Sequence, residues 1–156
     1  MNLSDLSPFT KRLLVGVKVE DQDPEPPTWD GSMLHIRRIK WEPWILHERA
    51  HYLIATPRLR KLPNYGLGKD PDNGPWTTCV VWNERASAAE SDASLLTIVM
   101  AYRGKFDWKD VQRELNVTWD DKTSRSIRRI RRKGIVLPDT LLRAIFPGEP
   151  LPRGTT

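Results

Sequence analysis

The stretch from Ser87 to Gly134 decides the fold, and it reads SAAESDASLLTIVMAYRGKFDWKDVQRELNVTWDDKTSRSIRRIRRKG. Ser87 and Glu90 have the spacing of a capping box, which predicts that a first helix begins at Ser87. Gly104 is well placed to end this helix in a left-handed conformation. Between these points the apolar residues recur with helical spacing, at Leu95, Leu96, Val99 and Tyr102.

Two further helices are predicted before Gly134. Asp107 resembles the N-cap of the second helix, and Asn116 can close it. Residues 120–121 are aspartates that lie where anions favour the N-terminus of a third helix, which Gly134 can end. Residues 138–146 add a short fourth helix. Short, well-capped helices of this kind predict a mostly α protein with a C-terminal three-helix bundle of the helix-turn-helix type.

The third helix is basic on one side and apolar on the other. Residues 122–133 carry seven positive charges and no negative charge. At about 100° per residue, Thr123, Ile127 and Ile130 share one stripe, and the cations occupy the opposite stripe and its flanks. A solvated helix face usually mixes both signs, so this pattern favours binding to a polyanion. The candidate nucleic-acid contacts are Lys122, Arg125, Arg128, Arg129, Arg131, Arg132 and Lys133.

The same residues resemble the Myb/SANT family of three-helix domains. The resemblance covers residues 87–135 and rests on the acidic start at Glu90 and Asp92, on Trp108 in the family's middle tryptophan slot, and on the basic third helix. It implies that the third helix reads DNA. The family's first and third tryptophans are missing, and a generic or winged helix-turn-helix fits almost as well, with residues 135–138 as a vestigial strand.

Composition and charge bound the rest of the chain. Its 156 residues can form one domain, or two very small ones that share a core. The net charge is +5, and residues 81–156 hold most of it, with fourteen Lys/Arg against ten Asp/Glu. We expect an irregular α+β region at 1–86, the tri-helical unit at 87–146, and a flexible tail at 147–156.

The N-terminal region offers weaker signals. Residues 43–56 begin with a proline and stop before Pro57, which predicts a helix. Strands are predicted within residues 33–41 and 77–82, where apolar and β-branched residues cluster. Residues 57–76 are crowded with proline and glycine and predict an extended loop.

Within that helix, residues 47–51 read HERAH and match the HExxH pattern, in which two imidazoles on one helix face hold zinc and the glutamate acts as general base. Arg49 counts against zinc, because zinc proteases keep an uncharged residue there. No histidine follows His51, so a third ligand would have to be a carboxylate, and Glu84 is the only suggestive one. The sequence therefore favours a helix with partly exposed histidines, and a zinc metalloprotease ranks as the third function.

The tryptophans have two interpretations. Trp41, Trp44, Trp76 and Trp82 could stack on bases, as aromatic side chains do in single-strand binders. The low hydrophobic content of 38% favours places in the core instead. Trp108 and Trp119 are expected to pack within the tri-helical unit.

The sequence thus predicts a regulatory or chromatin-associated protein, without catalysis, cofactor or metal, that docks its third helix on duplex DNA. The alternative is an adaptor that binds an acidic protein through the same helix. Cys79 is the only cysteine, so we expect a reducing intracellular location, nuclear in a eukaryote and cytoplasmic otherwise. No apolar run is long enough for a signal-peptide core or a membrane helix.

Overall fold

The computed structural model describes residues 1–22, 28–67 and 80–153, and for residues 80–83 the backbone alone. This part of the chain is mostly helical, as predicted, with two short strands and 3-10 turns at Leu3–Asp5 and Pro63–Gly66. The helices are α1 (Pro8–Leu13), α2 (Glu42–Ile54), α3 (Pro57–Arg60), α4 (Val80–Arg103), α5 (Trp108–Glu114), α6 (Asp121–Arg132) and α7 (Asp139–Ile145). Strands β1 (Val19–Glu20) and β2 (Leu34–His35) pair in parallel, with Val19 beside Leu34.

Helix α4 is the centre of the fold, since it packs against α2, α5 and α6. The main core takes Leu46, Ala50 and Ile54 from α2 together with residues of α4 to α7, so the N-terminal region and the C-terminal helices share one core. Burying a leucine or isoleucine side chain contributes about 1.5–3 kcal/mol. A second cluster lies around the short strands, and its buried members are Leu6, Leu14, Trp29, Leu34, Ile36, Ile45 and Tyr65.

Helix α2 confirms the helix predicted between Pro43 and Pro57. Pro43 lies in its first turn, where no backbone N–H is needed. Pro57 disfavours helical backbone in the residue before it. At the C-terminal end of α2, Lys133 Nζ donates a hydrogen bond to the carbonyl oxygen of Ile54 at 3.0 Å. The loop predicted at 57–76 is wrong for its described residues, because α3 and a 3-10 turn occupy residues 57–66.

The predicted start of α4 is wrong, since the helix begins at Val80 rather than at Ser87. Residues 80–82 belong to it and form no strand, while 77–79 lie outside the described residues. Residues 84–90 (ERASAAE) are rich in strong helix formers, which propagate a helix through the weaker β-branched start. The capping-box pair therefore lies inside the helix, and Glu90 is directed towards α2.

Helix α4 ends at Arg103, but Gly104 is not its left-handed residue. Lys105 takes that conformation, with φ 61°. A Cβ atom on Gly104 would lie 2.5 Å from Cδ1 of Phe9 and 2.8 Å from Cε2 of Phe106. Glycine is needed here because two aromatic rings pack against the backbone.

The remaining predicted caps are confirmed. Asp107 caps α5, Asn116 follows α5 with φ 55°, and Gly134 follows α6 with φ 80°. The fourth helix is α7. The vestigial strand at 135–138 is wrong, because these residues form no strand: the Val136 carbonyl instead accepts a hydrogen bond from the Arg103 guanidinium.

In the described part of the C-terminal tail, residues 147–150 are exposed and residues 151–152 lie against the helices. Pro152 is buried, and its carbonyl oxygen accepts a hydrogen bond from Nη1 of Arg131 at 2.7 Å. Leu151 packs against the main core. The tail therefore contacts the bundle as far as Pro152.

The core interpretation holds for Trp41 but not for Trp44, which is half-buried, lies outside both core clusters and lines a cleft. Trp108 and Trp119 pack against the main core, as predicted, and so does Trp41. Trp76, the side chain of Trp82 and Cys79 lie outside the described residues. In the part of the chain that the structure describes, every helix is too short or too polar to cross a bilayer.

Candidate metal centre and the basic helix

His47 and His51 lie one turn apart on α2 and therefore share a helix face. That face packs against α4, so each histidine is only 6% exposed. The expectation of partly exposed histidines is wrong for this reason. Their rings meet edge to face, with centroids 4.7 Å apart.

Glu90 of α4 faces both histidines. Its Oε1 lies 2.7 Å from Nε2 of His47, and its Oε2 lies 2.9 Å from Nε2 of His51. The three ligand atoms all lie within 4.8 Å of one another. Two imidazoles and a carboxylate form a known catalytic zinc set, and tetrahedral ligands at about 2.0–2.1 Å from zinc lie roughly 3.4 Å apart. To hold an ion, the Glu90 oxygens and the two imidazole nitrogens would have to move apart by about 0.5–0.7 Å.

Glu84, the carboxylate suggested from the sequence, is exposed and lies outside this cluster. It precedes Glu90 by six residues on the same helix, which places it about 120° around the helix axis from Glu90. The sequence signal for Glu90 was its seven-residue spacing from Thr97, which places both residues on one helix face. This spacing identifies Glu90 as a ligand only when α4 is known to start before Ser87 and to pack against α2.

Thr97 fixes the orientation of the His47 ring. The hydroxyl of Thr97 donates to the carbonyl oxygen of Ala93 at 2.6 Å, and its Oγ1 lies 3.0 Å from Nδ1 of His47. The only hydroxyl proton is engaged by Ala93, so Nδ1–H of His47 must donate to Thr97. Nε2 then presents a lone pair towards the Glu90 carboxylate. Two acceptors 2.7 Å apart need a cation between them, either a proton or a metal ion.

The carboxylates of the cluster have shifted pKa values. Burial alone would raise the pKa of Glu90, but hydrogen bonds with His47 and His51, and their charge, hold that pKa well below its usual range. Burial raises the pKa of Glu48, against the opposing influence of the two histidines. Glu48 therefore lies close enough to the cluster to feel its charges.

Tyr65 supports the other side of the cluster. Its ring stacks on His51 at 5.7 Å and on Trp29 at 5.4 Å, and its hydroxyl donates to the carbonyl oxygen of Glu48 at 3.0 Å. The backbone of Tyr65 is left-handed, with φ 56°, which costs a non-glycine residue about 1–2 kcal/mol. Such strain is characteristic of residues whose position serves a site.

Arg49 does not bring its charge to the cluster. It follows His47 by two residues and so points to another side of α2. Its guanidinium lies 4.9 Å from the centroid of the Tyr52 ring, and burial lowers its pKa. The sequence-based objection to zinc at this position therefore loses its force.

One cleft reaches Glu90 of the cluster, and a second lies beside Glu48, the residue next to His47 on α2. One, of about 440 Å³, is lined by Glu48 and Trp44 and by the segment 38–41. The other, of about 480 Å³, is lined by Glu90 and by the turn between α5 and α6. The histidines are buried between α2 and α4, while Glu90 is exposed and Glu48 is half-buried in the wall of its cleft.

Helix α6 buries the predicted apolar stripe, since Thr123, Ile127 and Ile130 all lie in the interior. Its N-terminus carries the two predicted aspartates, and Oδ1 of Asp120 accepts a hydrogen bond from the Thr123 amide at 2.9 Å. That bond is the main reason why the pKa of Asp120 lies below its usual value.

Three of the seven candidate cations make contacts within the fold. Nε and Nη2 of Arg129 bind the two oxygens of the buried Asp92 at 3.0 and 2.8 Å, and this hydrogen bonding raises the pKa of Arg129. Arg131 binds Asp139 at 2.8 Å, and Lys133 binds the end of α2. The other four are exposed and make no side-chain hydrogen bond or ion pair with another described residue: Lys122, Arg125, Arg128 and Arg132.

Comparisons of this chain with protein-family models, with curated proteins and with solved structures found no match.

Proposed function

We propose that this protein is a metal-dependent hydrolase, with zinc bound by His47, His51 and Glu90 and with Glu48 as general base. One observation carries the proposal: Nε2 atoms from two successive turns of α2 converge on the carboxylate of a different helix. A structural ion pair would need neither an HExxH spacing nor a glutamate beside the first histidine. This proposal differs from the sequence-based expectation of a protein without catalysis.

The chain's own groups divide the chemistry. A zinc ion held by His47, His51 and Glu90 would supply a polarised water and a Lewis acid for a carbonyl oxygen. Glu48 would take a proton from a water molecule as the water oxygen attacks the carbonyl carbon, and would pass the proton to the leaving nitrogen as the carbon–nitrogen bond breaks. One water is consumed and one amide is divided into an acid and an amine. Thr97 keeps Nε2 of His47 available as a ligand.

Metal analysis tests the proposal. We expect the purified protein, after dialysis against zinc, to hold one zinc ion per chain. His47→Ala and Glu90→Gln should abolish this binding, whereas Glu84→Gln, a matched change on the same helix, should leave it intact. Glu48→Gln should keep the metal and lose hydrolysis of fluorescent casein. Absence of zinc from the parent protein, or zinc retained in Glu90→Gln, would contradict the assignment.

A second candidate function is docking on duplex nucleic acid, and the open cations of α6 favour it. Lys122, Arg125, Arg128 and Arg132 fall within a stripe about 120° wide and about 15 Å long, at 1.5 Å per residue. This length suits phosphates on either side of a major groove about 12 Å wide. The two functions are compatible, because the stripe and the histidine face lie on different helices.

The test of docking compares partners and salt. Binding to a random DNA duplex should weaken steeply from low to high salt, by about one counterion per phosphate contacted. An acidic protein that saturates the stripe while duplex DNA does not bind would favour the adaptor alternative. The proposal of nucleic-acid binding includes the intracellular location that is expected from the lone cysteine.

A further inference from the structure

The cleft beside Glu48 lies between the segment 38–41 and helix α2, and its volume is about 440 Å³. This size falls in the usual range of ligand pockets, about 300–1,000 Å³. Glu48 belongs to the wall of the cleft, and it follows His47 directly on α2. The cleft therefore opens on the side of the centre that holds the general base.

The walls of this cleft are cationic and aromatic. Arg38 and Lys40 are exposed, and neither makes a side-chain hydrogen bond or ion pair with another described residue. Trp41 and Trp44 pack edge to face at 5.7 Å, and both are half-buried. Glu48 is the sole acidic group among the described residues that line the cleft.

We propose that this cleft binds a peptide segment with an acidic side chain close to the bond that is cleaved, and that Arg38 and Lys40 select it. The inference rests on the proposed hydrolase function, and it names the substrate class of the same site. Two unpaired cations above an apolar wall favour an anionic group on an otherwise uncharged segment. The tryptophan rings provide contact area for the neighbouring residues.

A peptide fits this cleft better than a nucleic acid for a chemical reason. The glutamate of an HExxH centre activates water towards a carbonyl carbon, and the carbonyl is the group that peptides offer. The cleft beside Glu90 gives no comparable charge preference, since both Asp120 and Lys122 line it. The preference for acidic groups therefore belongs to the side of Glu48.

Peptide binding can be measured without turnover in the full-length, zinc-treated Glu48→Gln protein. The probes are a blocked hexapeptide with one central aspartate and its counterpart with asparagine. We expect the aspartate peptide to bind about ten times more tightly, as a charge-assisted contact requires. In a variant that adds Arg38→Gln and Lys40→Gln, the ratio of the two affinities should fall to about one.

Two control variants keep the result specific. Arg37→Gln removes a neighbouring cation that lies outside the cleft and binds the carbonyl oxygen of Gln22, so the ratio should persist. Arg125→Gln with Arg128→Gln removes cations of α6, and the ratio should again persist. Folding of each variant is checked by its thermal transition.

Several results would overturn the inference: equal affinity for the two peptides, a ratio that survives the loss of Arg38 and Lys40, or no binding of either peptide at millimolar concentration. Tighter binding of a thymidine hexanucleotide at the same two residues would assign the cleft to nucleic acid instead. Zinc content and casein hydrolysis are scored separately. Peptide selectivity without zinc or hydrolysis would refute the proposed function alone, and hydrolysis without selectivity would refute this inference alone.

Discussion

The histidine face of α2 and the cationic face of α6 are both short helical motifs, but the protein packs them in opposite ways. The face of α2 is directed inwards, where α4 supplies a carboxylate and a threonine to its two imidazoles. The face of α6 is directed partly to solvent, and three of its cations are engaged by the fold. The basic run of α6 thus has a partly structural role, while residues 47–51 supply the two histidines of a buried cluster.

The largest effect is expected on the inward face. His47→Ala should weaken zinc binding by at least about 1,000-fold, because a three-ligand centre loses one of its bonds to the metal. Competition with a chromophoric chelator measures the affinity. His35→Ala, which changes the one histidine outside the motif, should leave zinc affinity unchanged. Equal losses of zinc affinity in His47→Ala and His35→Ala would contradict a metal site on the histidine face of α2.

The next largest effect is expected for the ion pair between Asp92 of α4 and Arg129 of α6. Asp92→Asn should lower the free energy of unfolding by about 2–3 kcal/mol. The Arg129 guanidinium would lose its carboxylate partner, and its partial exposure keeps the cost below the 3–5 kcal/mol of a fully buried pair. Denaturant unfolding measures the change.

The matched control is Asp110→Asn, which breaks the exposed pair with Arg113 on α5. Its effect should stay within about 0.5 kcal/mol. If Asp92→Asn were equally mild, Arg129 would be a free surface cation, and the proposed contrast between the structural and open cations of α6 would fail.

Support of the metal ligand by Thr97 should be smaller but measurable. Thr97→Val keeps the shape of the side chain and removes the oxygen that accepts from Nδ1 of His47. Loss of such an outer hydrogen bond typically weakens metal binding by about 10–100-fold. Thr10→Val, a change at another buried threonine that lines neither cleft, should leave zinc affinity unchanged. Unaltered affinity in Thr97→Val would show that Thr97 does not orient the ring.

The smallest effect on stability is expected at the open cations. Arg125→Gln with Arg128→Gln should change the free energy of unfolding by less than about 0.5 kcal/mol, because neither side chain has a described partner. The same pair should reduce the logarithmic salt slope of duplex binding by about two. A large loss of stability, or an unchanged slope, would count against an open nucleic-acid surface.

Much of the fold could be predicted from the sequence because it depends on local rules. Prolines bound α2, Asp107 and Asp120 cap their helices, and Gly134 follows α6, all by backbone geometry that acts within a few residues. The same kind of local rule predicted the wrong start for α4. The Ser87–Glu90 spacing satisfies a capping rule, yet the strong helix formers around it carry the helix through.

Only the histidine half of the candidate metal site could be predicted from the sequence. The HExxH spacing puts His47 and His51 on one face, because four residues make about one helical turn. Nothing in the sequence places Glu90, 39 residues beyond His51, opposite that face. The packing of α2 on α4 brings it there, and the same packing buries the histidines.

The sequence by itself determined the bounds of α2, the caps of α5 and α6, the two-sided character of α6 and the pairing of the imidazoles, since these follow from neighbours along the chain. Only the tertiary structure decided which carboxylate meets the histidines, which cations are neutralised and which remain open. The physical reason is that burial and ion pairing depend on distances through space, and Glu90 and Asp92 meet their partners across helix interfaces that no local pattern encodes.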